Sequence, residues 1–288
     1  MNKKPFNALN DYFVRYFFTD KGGEKVLLDF INAVMISADM KTFKAVEILN
    51  PFNLKRHYKD KETIVDVKCI TKNGTVVIIE VQLSGNLRFP ERILYYWALN
   101  YSKLLKKGEQ YDDLTPVISI NLLNFNLSKR NSNVHSCYMI YDTKTERLLT
   151  DHLQIHMIEL KKFKFKDNNL KKDLNYWLGF FTTKDMEEYM SEIVKEKPIM
   201  EEAQKRYNNF IRSRLMMTEY EKKELYQYDK QITFEEKKRE GIKEGEENKA
   251  ISIAKTLKQM NMDDASISKA TGLSIEEVCK LNANNKKL

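Results

Sequence analysis

The chain has 288 residues, of which 42% are hydrophobic and 31% charged, and this balance excludes a disordered chain. The formal net charge of +8 and the pI near 9.0 favour an anionic partner without identifying it as nucleic acid. Three scattered cysteines, Cys69, Cys137 and Cys279, exclude a disulfide framework and an all-cysteine zinc site. No apolar run approaches the roughly 20 residues of a membrane span, and the first residues lack signal-peptide features. We therefore expect a cytoplasmic protein with no membrane contact.

The first 165 residues or so alternate between helical and strand patterns. From Asp11 to about Ile36 apolar residues recur at helical spacing, and Gly22 and Gly23 divide the pattern into two helices. The later segment PERILYYWALNYSKLLKKG is a helix with proline near its first turn. Strands are predicted at KAVEIL, TIVDVKCI, VVIIEVQL, PVISINLLNF, SCYMIYD and LQIHMIEL. Strands joined by a crossover helix indicate an α/β core.

The strand patterns stop after about residue 170. We therefore expect an α/β domain over residues 1–170, a charged helical arm over 171–248 and a small helical hairpin over 249–288. The C-terminal helices are the part through which we expect a homo-oligomer to form.

Two capping boxes mark predicted helix starts in this C-terminal part. Thr233 and Glu236 form one in the arm, and Ser274 and Glu277 form the other in the hairpin. Gly272 suits the end of the preceding helix.

Two carboxylates interrupt the apolar stretch IVDVKCITKNGTVVIIEVQL. Asp66 and Glu80 lie at the centres of its two strands. An isolated carboxylate in a sheet is costly unless it is paired, hydrogen-bonded or bound to a cation. The pattern therefore indicates a partner for these acids.

The turn between the two strands decides whether the acids meet. A two-residue loop at 73–74 puts Asp66 opposite Val81, so the acids lie on opposite faces of the sheet. A three-residue loop at 72–74, closed by a left-handed glycine, puts Asp66 opposite Glu80, with Cβ atoms roughly 5 Å apart. Both loops are compatible with the Asn-Gly pair. A shared metal site requires the three-residue loop.

These residues resemble a known motif. Asp66, a turn and then Glu80-Val81-Gln82 is similar to the Asp…Glu-x-Lys motif of the PD-(D/E)xK nuclease superfamily, in the variant with glutamine for lysine. Further segments look like its recombination-promoting nuclease and putative transposase family, from about Asp11 to about Phe165: ILNPFNLKRHYKDKETIVDVKCI, IIEVQL, RFPERILYYWALNYSKLLKKGEQYDDLTPVISINLL and HMIELKKF. The resemblance implies a restriction-endonuclease-like core, with a mixed sheet flanked by helices, and a helical C-terminal extension.

The resemblance also implies a reaction, the metal-dependent hydrolysis of phosphodiester bonds in DNA. Asp66 and Glu80 would bind Mg²⁺ or another hard divalent cation. Gln82 would hold the attacking water, although an amide lacks the positive charge of a lysine. Strand alternation puts Lys68 on the Asp66 face, so we expect Lys68 to supply that charge.

Two further positions complete the predicted site. The superfamily often has an acid on its first helix, for which Glu24 is the candidate metal ligand and Asp11 the alternative. In the crossover helix Arg92 shares a face with Tyr96 and is the candidate contact to the DNA backbone.

Two other functions stay open on the sequence. Because Gln82 replaces lysine, the chain could be a nuclease-fold module that binds DNA with weak or no hydrolysis. It could also be a scaffold that assembles through its C-terminal helices. His152 and His156 do not indicate a zinc site, because four residues of strand separate them by about 13 Å.

Overall fold

A computed structural model describes residues 5–52, 66–85, 88–127, 131–165 and 171–281. Its helices are α1 Asp11–Thr19, α2 Glu24–Ser37, α3 Phe89–Ser102, α4 Lys172–Thr182, α5 Met186–Glu196, α6 Ile199–Arg212, α7 Arg214–Gln259, α8 Asp264–Thr271 and α9 Ile275–Lys280. Its strands are β1 Val46–Ile48, β2 Val67–Thr71, β3 Val76–Gln82, β4 Val117–Leu123, β5 His135–Tyr141 and β6 Leu148–Glu159. No helix in the described part of the chain combines the length and apolar content that crossing a membrane requires.

The described strands form one mixed sheet in the order β1-β2-β3-β4-β6-β5. β1, β2 and β3 pair antiparallel, β4 is parallel to both β3 and β6, and β5 is antiparallel to β6. The parallel β3–β4 pair requires a crossover, and α3 lies between these strands in the chain. The predicted α/β fold is therefore confirmed.

Apolar side chains cover both faces of this sheet. One face packs against α1, α2, α4, α5 and α6 through a cluster rich in aromatic rings, which includes Phe13, Phe17, Trp177 and Phe180. The other face packs against α3 through Phe89 and Ile93, with Trp97 half-buried beside them. A sheet buried on both faces explains why β3 and β4 consist almost entirely of apolar residues.

The chain divides into two compact units, one ending at Lys223 and the other beginning at Glu224. The expected boundary at residue 170 lies inside the first unit, because α4, α5 and α6 contribute to the main core. The second unit has a small core of its own, centred on Ala254, Ile267 and Val278.

The two capping predictions in the C-terminal part have opposite outcomes. The box at Ser274 and Glu277 is confirmed at the start of α9, and Gly272 ends α8 with a φ of 76°. The helix start predicted at Thr233 is wrong, because α7 runs through that position without interruption. The Thr233 hydroxyl donates to the Asp229 carbonyl one turn back, a bond that a threonine makes inside a helix.

Arg206 on α6 forms hydrogen bonds with the C-terminal end of α1. Its side chain is 4% exposed and donates to carbonyls where α1 ends: those of Phe17 (2.7 Å), Asp20 (2.9 Å), Lys21 (3.2 Å) and Tyr16 (3.5 Å). The last carbonyls of a helix lack partners within the helix, and a cation that satisfies them also interacts favourably with the helix dipole.

We expect Arg206→Met to lower the free energy of unfolding by about 3 kcal/mol, because it leaves several carbonyls without donors. Arg212→Met, at the exposed end of the same helix, is the matched control and should change stability by less than about 0.5 kcal/mol. Urea unfolding of both variants measures the difference. Equal effects would show that the carbonyl contacts do not stabilise the fold.

Candidate active site

The turn of the β2–β3 hairpin is the three-residue type. The Thr71 N–H donates to the Thr75 carbonyl (2.9 Å), and the Gly74 N–H donates to the Thr71 carbonyl (3.0 Å). Gly74 has a φ of 85°, the left-handed conformation that closes such a loop. Val67 lies opposite Ile79, and one further step in this register brings Asp66 opposite Glu80. The register that a shared site requires is confirmed.

Asp66 lies just before β2 and is half-buried. Its Oδ2 accepts a hydrogen bond from the Val81 N–H (2.7 Å) on the opposite strand. Burial raises the pKa of Asp66, and the Val81 hydrogen bond offsets part of that rise. The charge of Asp11 raises the pKa further, whereas Lys223 and Arg15 lower it.

Glu80 lies in β3 and is 5% exposed. Its Oε2 accepts from Nε2 of Gln82 (3.2 Å), while Oε1 is buried without a hydrogen-bond partner among the described residues. Burial raises the pKa of Glu80, and the nearby Asp66 carboxylate raises it further. The Gln82 hydrogen bond and the Arg92 charge act in the opposite direction. The two acids therefore resist ionisation together, as buried carboxyl groups do without a cation.

The donor set suits a hard divalent cation. Two facing carboxylates supply oxygen ligands, and the unpaired Oε1 of Glu80 is an acceptor that a cation would satisfy. Within the described ranges, no group of three or more His, Cys, Asp and Glu side chains converges as metal ligands. The pair at Asp66 and Glu80 is therefore the arrangement on which a metal site can be argued.

Gln82 connects Glu80 to the crossover helix. Arg92 of α3 donates from Nη2 to Oε1 of Gln82 (2.5 Å), and Gln82 donates in turn to Glu80. The Arg92 guanidinium also lies over the Phe89 ring (5.3 Å) and near the Tyr96 ring (6.0 Å). The structure therefore places Arg92 beside the acids.

Lys68 lies on β2, opposite Ile78. It is half-buried, and burial lowers the pKa of its ammonium group, as does the nearby charge of Lys103. Among the described residues, Arg92 is the cation whose charge lowers the pKa of Glu80. The predicted role of Lys68 at the acids stays a prediction.

The two candidates for an acid on the first helix lie on different helices, Asp11 on α1 and Glu24 on α2. Asp11 begins α1, its Oδ2 pairs with Nζ of Lys223 (3.0 Å), and its charge acts on Asp66. Glu24 is exposed in the first turn of α2. It lines a cavity of 460 Å³ whose lining includes neither Asp66 nor Glu80. Asp11 is therefore the first-helix acid with an electrostatic link to the hairpin.

Asn121 is a polar residue near the site that sequence reasoning missed. It is fully buried in β4, directly beside Glu80 in the parallel register. Its Nδ2 donates to Oγ of Ser119 and to the His156 carbonyl, both at 3.1 Å, and its Oδ1 has no hydrogen-bond partner among the described residues. The signal was available, since an amide inside the apolar run ISINLL is as unusual as an acid inside VVIIEVQL.

His156 belongs to a separate polar chain. His135 bonds through Nδ1 to Oγ of Ser37 (2.9 Å) and through Nε2 to Nδ1 of His156 (3.0 Å). Burial lowers the pKa of His135 to about 4 and that of His156 to about 3. Both rings are therefore neutral near pH 7, and they satisfy each other's hydrogen bonds inside the fold.

Comparison with models of protein families places most of the chain in a known family. A family model described as "PD-(D/E)XK nuclease family transposase" matches residues 8–237. Neither a curated protein nor a solved structure matches the chain. The matched range contains Asp11, Asp66, Glu80, Gln82 and Arg92, and it extends into α7.

The raised pKa values of the two acids predict that they destabilise the fold without a cation. At these two acids the folded chain binds more protons than the unfolded chain, so the stability that they contribute below about pH 4 is lost as the pH rises through the raised values. In EDTA at pH 8 we therefore expect Asp66→Asn and Glu80→Gln each to raise the free energy of unfolding by about 2 kcal/mol.

Urea unfolding from pH 4 to pH 8 measures this difference from the wild type. The buried histidines titrate alike in every variant, so their contribution cancels. Glu91→Gln, an exposed acid on α3, is the control and should follow the wild type at each pH. A gain in stability that does not change with pH would contradict the electrostatic explanation.

Proposed function

The chain belongs to the PD-(D/E)XK nuclease family transposases, and from this premise we propose that it is a Mg²⁺-dependent DNA endonuclease of the recombination-promoting type. The observation that carries the proposal is the pairing of Asp66 with Glu80 across a hairpin of matching register. A fold that needed only a stable sheet would gain from apolar residues at both positions.

Asp66 and Glu80 would hold the ion, and Asp11, rather than Glu24, would add negative charge near them. The hairpin backbone sets the positions of both acids, and the Val81 N–H further orients the Asp66 side chain. When bound, a divalent ion neutralises charge on the phosphate and lowers the pKa of a bound water. Asp11 already contributes negative charge at Asp66.

Gln82 is positioned to orient a water molecule. Its Oε1 accepts one hydrogen bond, from Arg92, and a carbonyl oxygen can accept a second. Its Nε2 donates a hydrogen bond to Glu80, and this bond opposes rotation of the amide. The amide therefore offers a fixed acceptor next to the acids.

Lys68 and Lys103 support DNA as the substrate. They lie close enough for the charge of Lys103 to lower the pKa of Lys68. Lys68 lies on the face of the sheet that carries Glu80, and two neighbouring ammonium groups favour the binding of a phosphate backbone. The net charge of +8 also favours an anionic partner such as DNA.

One observation favours the alternative of a DNA-binding module without efficient hydrolysis. Gln82 occupies the position of the motif lysine and carries no charge. Self-association through the C-terminal helices stays a prediction.

The first test is cleavage of plasmid DNA in Mg²⁺ and in EDTA. We expect the wild type to cut only in Mg²⁺, and Asp66→Asn and Glu80→Gln to lose at least about 100-fold in rate. Duplex binding in Ca²⁺ is measured alongside. Binding by the wild type without cutting would favour the binding module, and equal cutting by all three proteins would refute the proposed site.

The second test distinguishes Asp11 on α1 from Glu24 on α2. We expect Asp11→Asn to weaken Mg²⁺ or Mn²⁺ binding about tenfold, because it removes a carboxylate near Asp66. Glu24→Gln, the matched control on α2, should bind the metal like the wild type. Calorimetric titration of the full chain measures both, and the reverse result would restore Glu24 as the ligand.

A further inference from the structure

The structure contains a positive charge where the motif has lost its lysine. We propose that Arg92 and Gln82 act as one unit that replaces the lysine, with Arg92 contacting a phosphate oxygen of the DNA and Gln82 holding the guanidinium next to Glu80. This inference rests on the proposed function, since it assigns a substrate contact within the same site.

The hydrogen bonds fix the orientation of the unit. An arginine only donates, so the Gln82 oxygen must face Arg92, and the Gln82 amino group then faces the Glu80 carboxylate. Rotating the amide by half a turn would set the amino group against the guanidinium and the oxygen against the carboxylate, which removes both bonds. The chain from Arg92 through Gln82 to Glu80 therefore has one favourable arrangement.

Most of the hydrogen-bonding capacity of Arg92 is not used by the fold. A guanidinium has five N–H donors, and in the described part of the chain Arg92 donates only to Gln82. Its Nε is buried without a partner there, and it forms no ion pair with a described acid. A planar guanidinium with free donors suits two-point contact with a phosphate.

The rings of α3 hold the guanidinium in place. Arg92 lies over Phe89, which is fully buried, and near Tyr96. Cation–π contacts of this kind stabilise an arginine without consuming its N–H donors. The side chain is thus both oriented and left able to bind an anion.

Lys68 is the competing source of charge. Its ammonium is influenced by Lys103, whereas Arg92 is hydrogen-bonded to the residue at the motif position itself. The geometry therefore favours Arg92 as the replacement for the lysine.

An exchange of charge between the two positions tests the inference. Arg92→Gln should reduce cleavage at least about 100-fold, and Gln82→Lys should also be impaired because it places two cations side by side. The double variant Arg92→Gln/Gln82→Lys restores one cation at the motif position. We expect it to recover cleavage to within about tenfold of the wild type, a rescue that a purely structural role for Arg92 does not predict.

Equilibrium binding of a DNA duplex in Ca²⁺ at several salt concentrations tests the inference without hydrolysis. Arg92→Gln should weaken binding and reduce the slope of log K against log salt by about one, and the double variant should restore that slope. Arg92→Lys keeps the positive charge and should therefore retain the wild-type slope. This variant replaces Arg92→Gln in the comparison if Arg92→Gln does not fold.

The outcomes separate the two proposals. A wild type that never cuts would remove the proposed nuclease activity, while the salt slopes would still decide whether Arg92 contacts phosphate. Unchanged binding slopes in Arg92→Gln, or a double variant no better than Arg92→Gln in both assays, would overturn the inference.

Discussion

The conformation of one residue, Gly74, determines whether Asp66 and Glu80 lie opposite each other. Its positive φ closes a three-residue loop, and a loop shorter by one residue would move one of the two acids to the other face of the sheet. A side chain at position 74 would place its Cβ 2.8 Å from Cγ2 of Thr115. The hydroxyl of Thr115 also donates to the Gly74 carbonyl (2.7 Å). The register of the hairpin is therefore fixed from both sides, by the backbone conformation and by the segment that leads into β4.

That register brings together groups that a stable fold would keep apart. Asp66 and Glu80 raise each other's energy when both are charged, and little water is available to screen them. The surroundings compensate in part, since the Val81 N–H, the Gln82 amide and the Arg92 charge all favour the ionised forms. Because this compensation is incomplete, two ionised acids would destabilise the fold near neutral pH, and a bound cation would offset that cost.

The sequence predicts the parts of this structure that depend on neighbouring residues. The alternation of residues predicts the strands, and the Asn-Gly pair predicts the hairpin. Both loop lengths are compatible with this pattern, so the register depends on the backbone conformation of Gly74. Contacts between distant segments left no local signal: Arg92 with Gln82, and His135 with His156. The helix start predicted at Thr233 was wrong because a capping pattern does not by itself begin a new helix when the residues on both sides of it continue the same helix.

The origin of the charges explains why the site is hard to deduce from its motif. The facing carboxylates come from a hairpin, which fixes their separation through the backbone. The cations that act on them come from helices: Arg15 from α1, Arg92 from α3 and Lys223 from α7. Lys223 is more than 140 positions beyond Glu80 in the chain, yet it pairs with Asp11 and its charge reaches Asp66. The hairpin sets the positions of the two acids, whereas the positive charges near them depend on how the helices pack. Under the proposed role of Arg92, the charge that Gln82 lacks is supplied by α3, the helix that packs against the face of the sheet on which Glu80 lies.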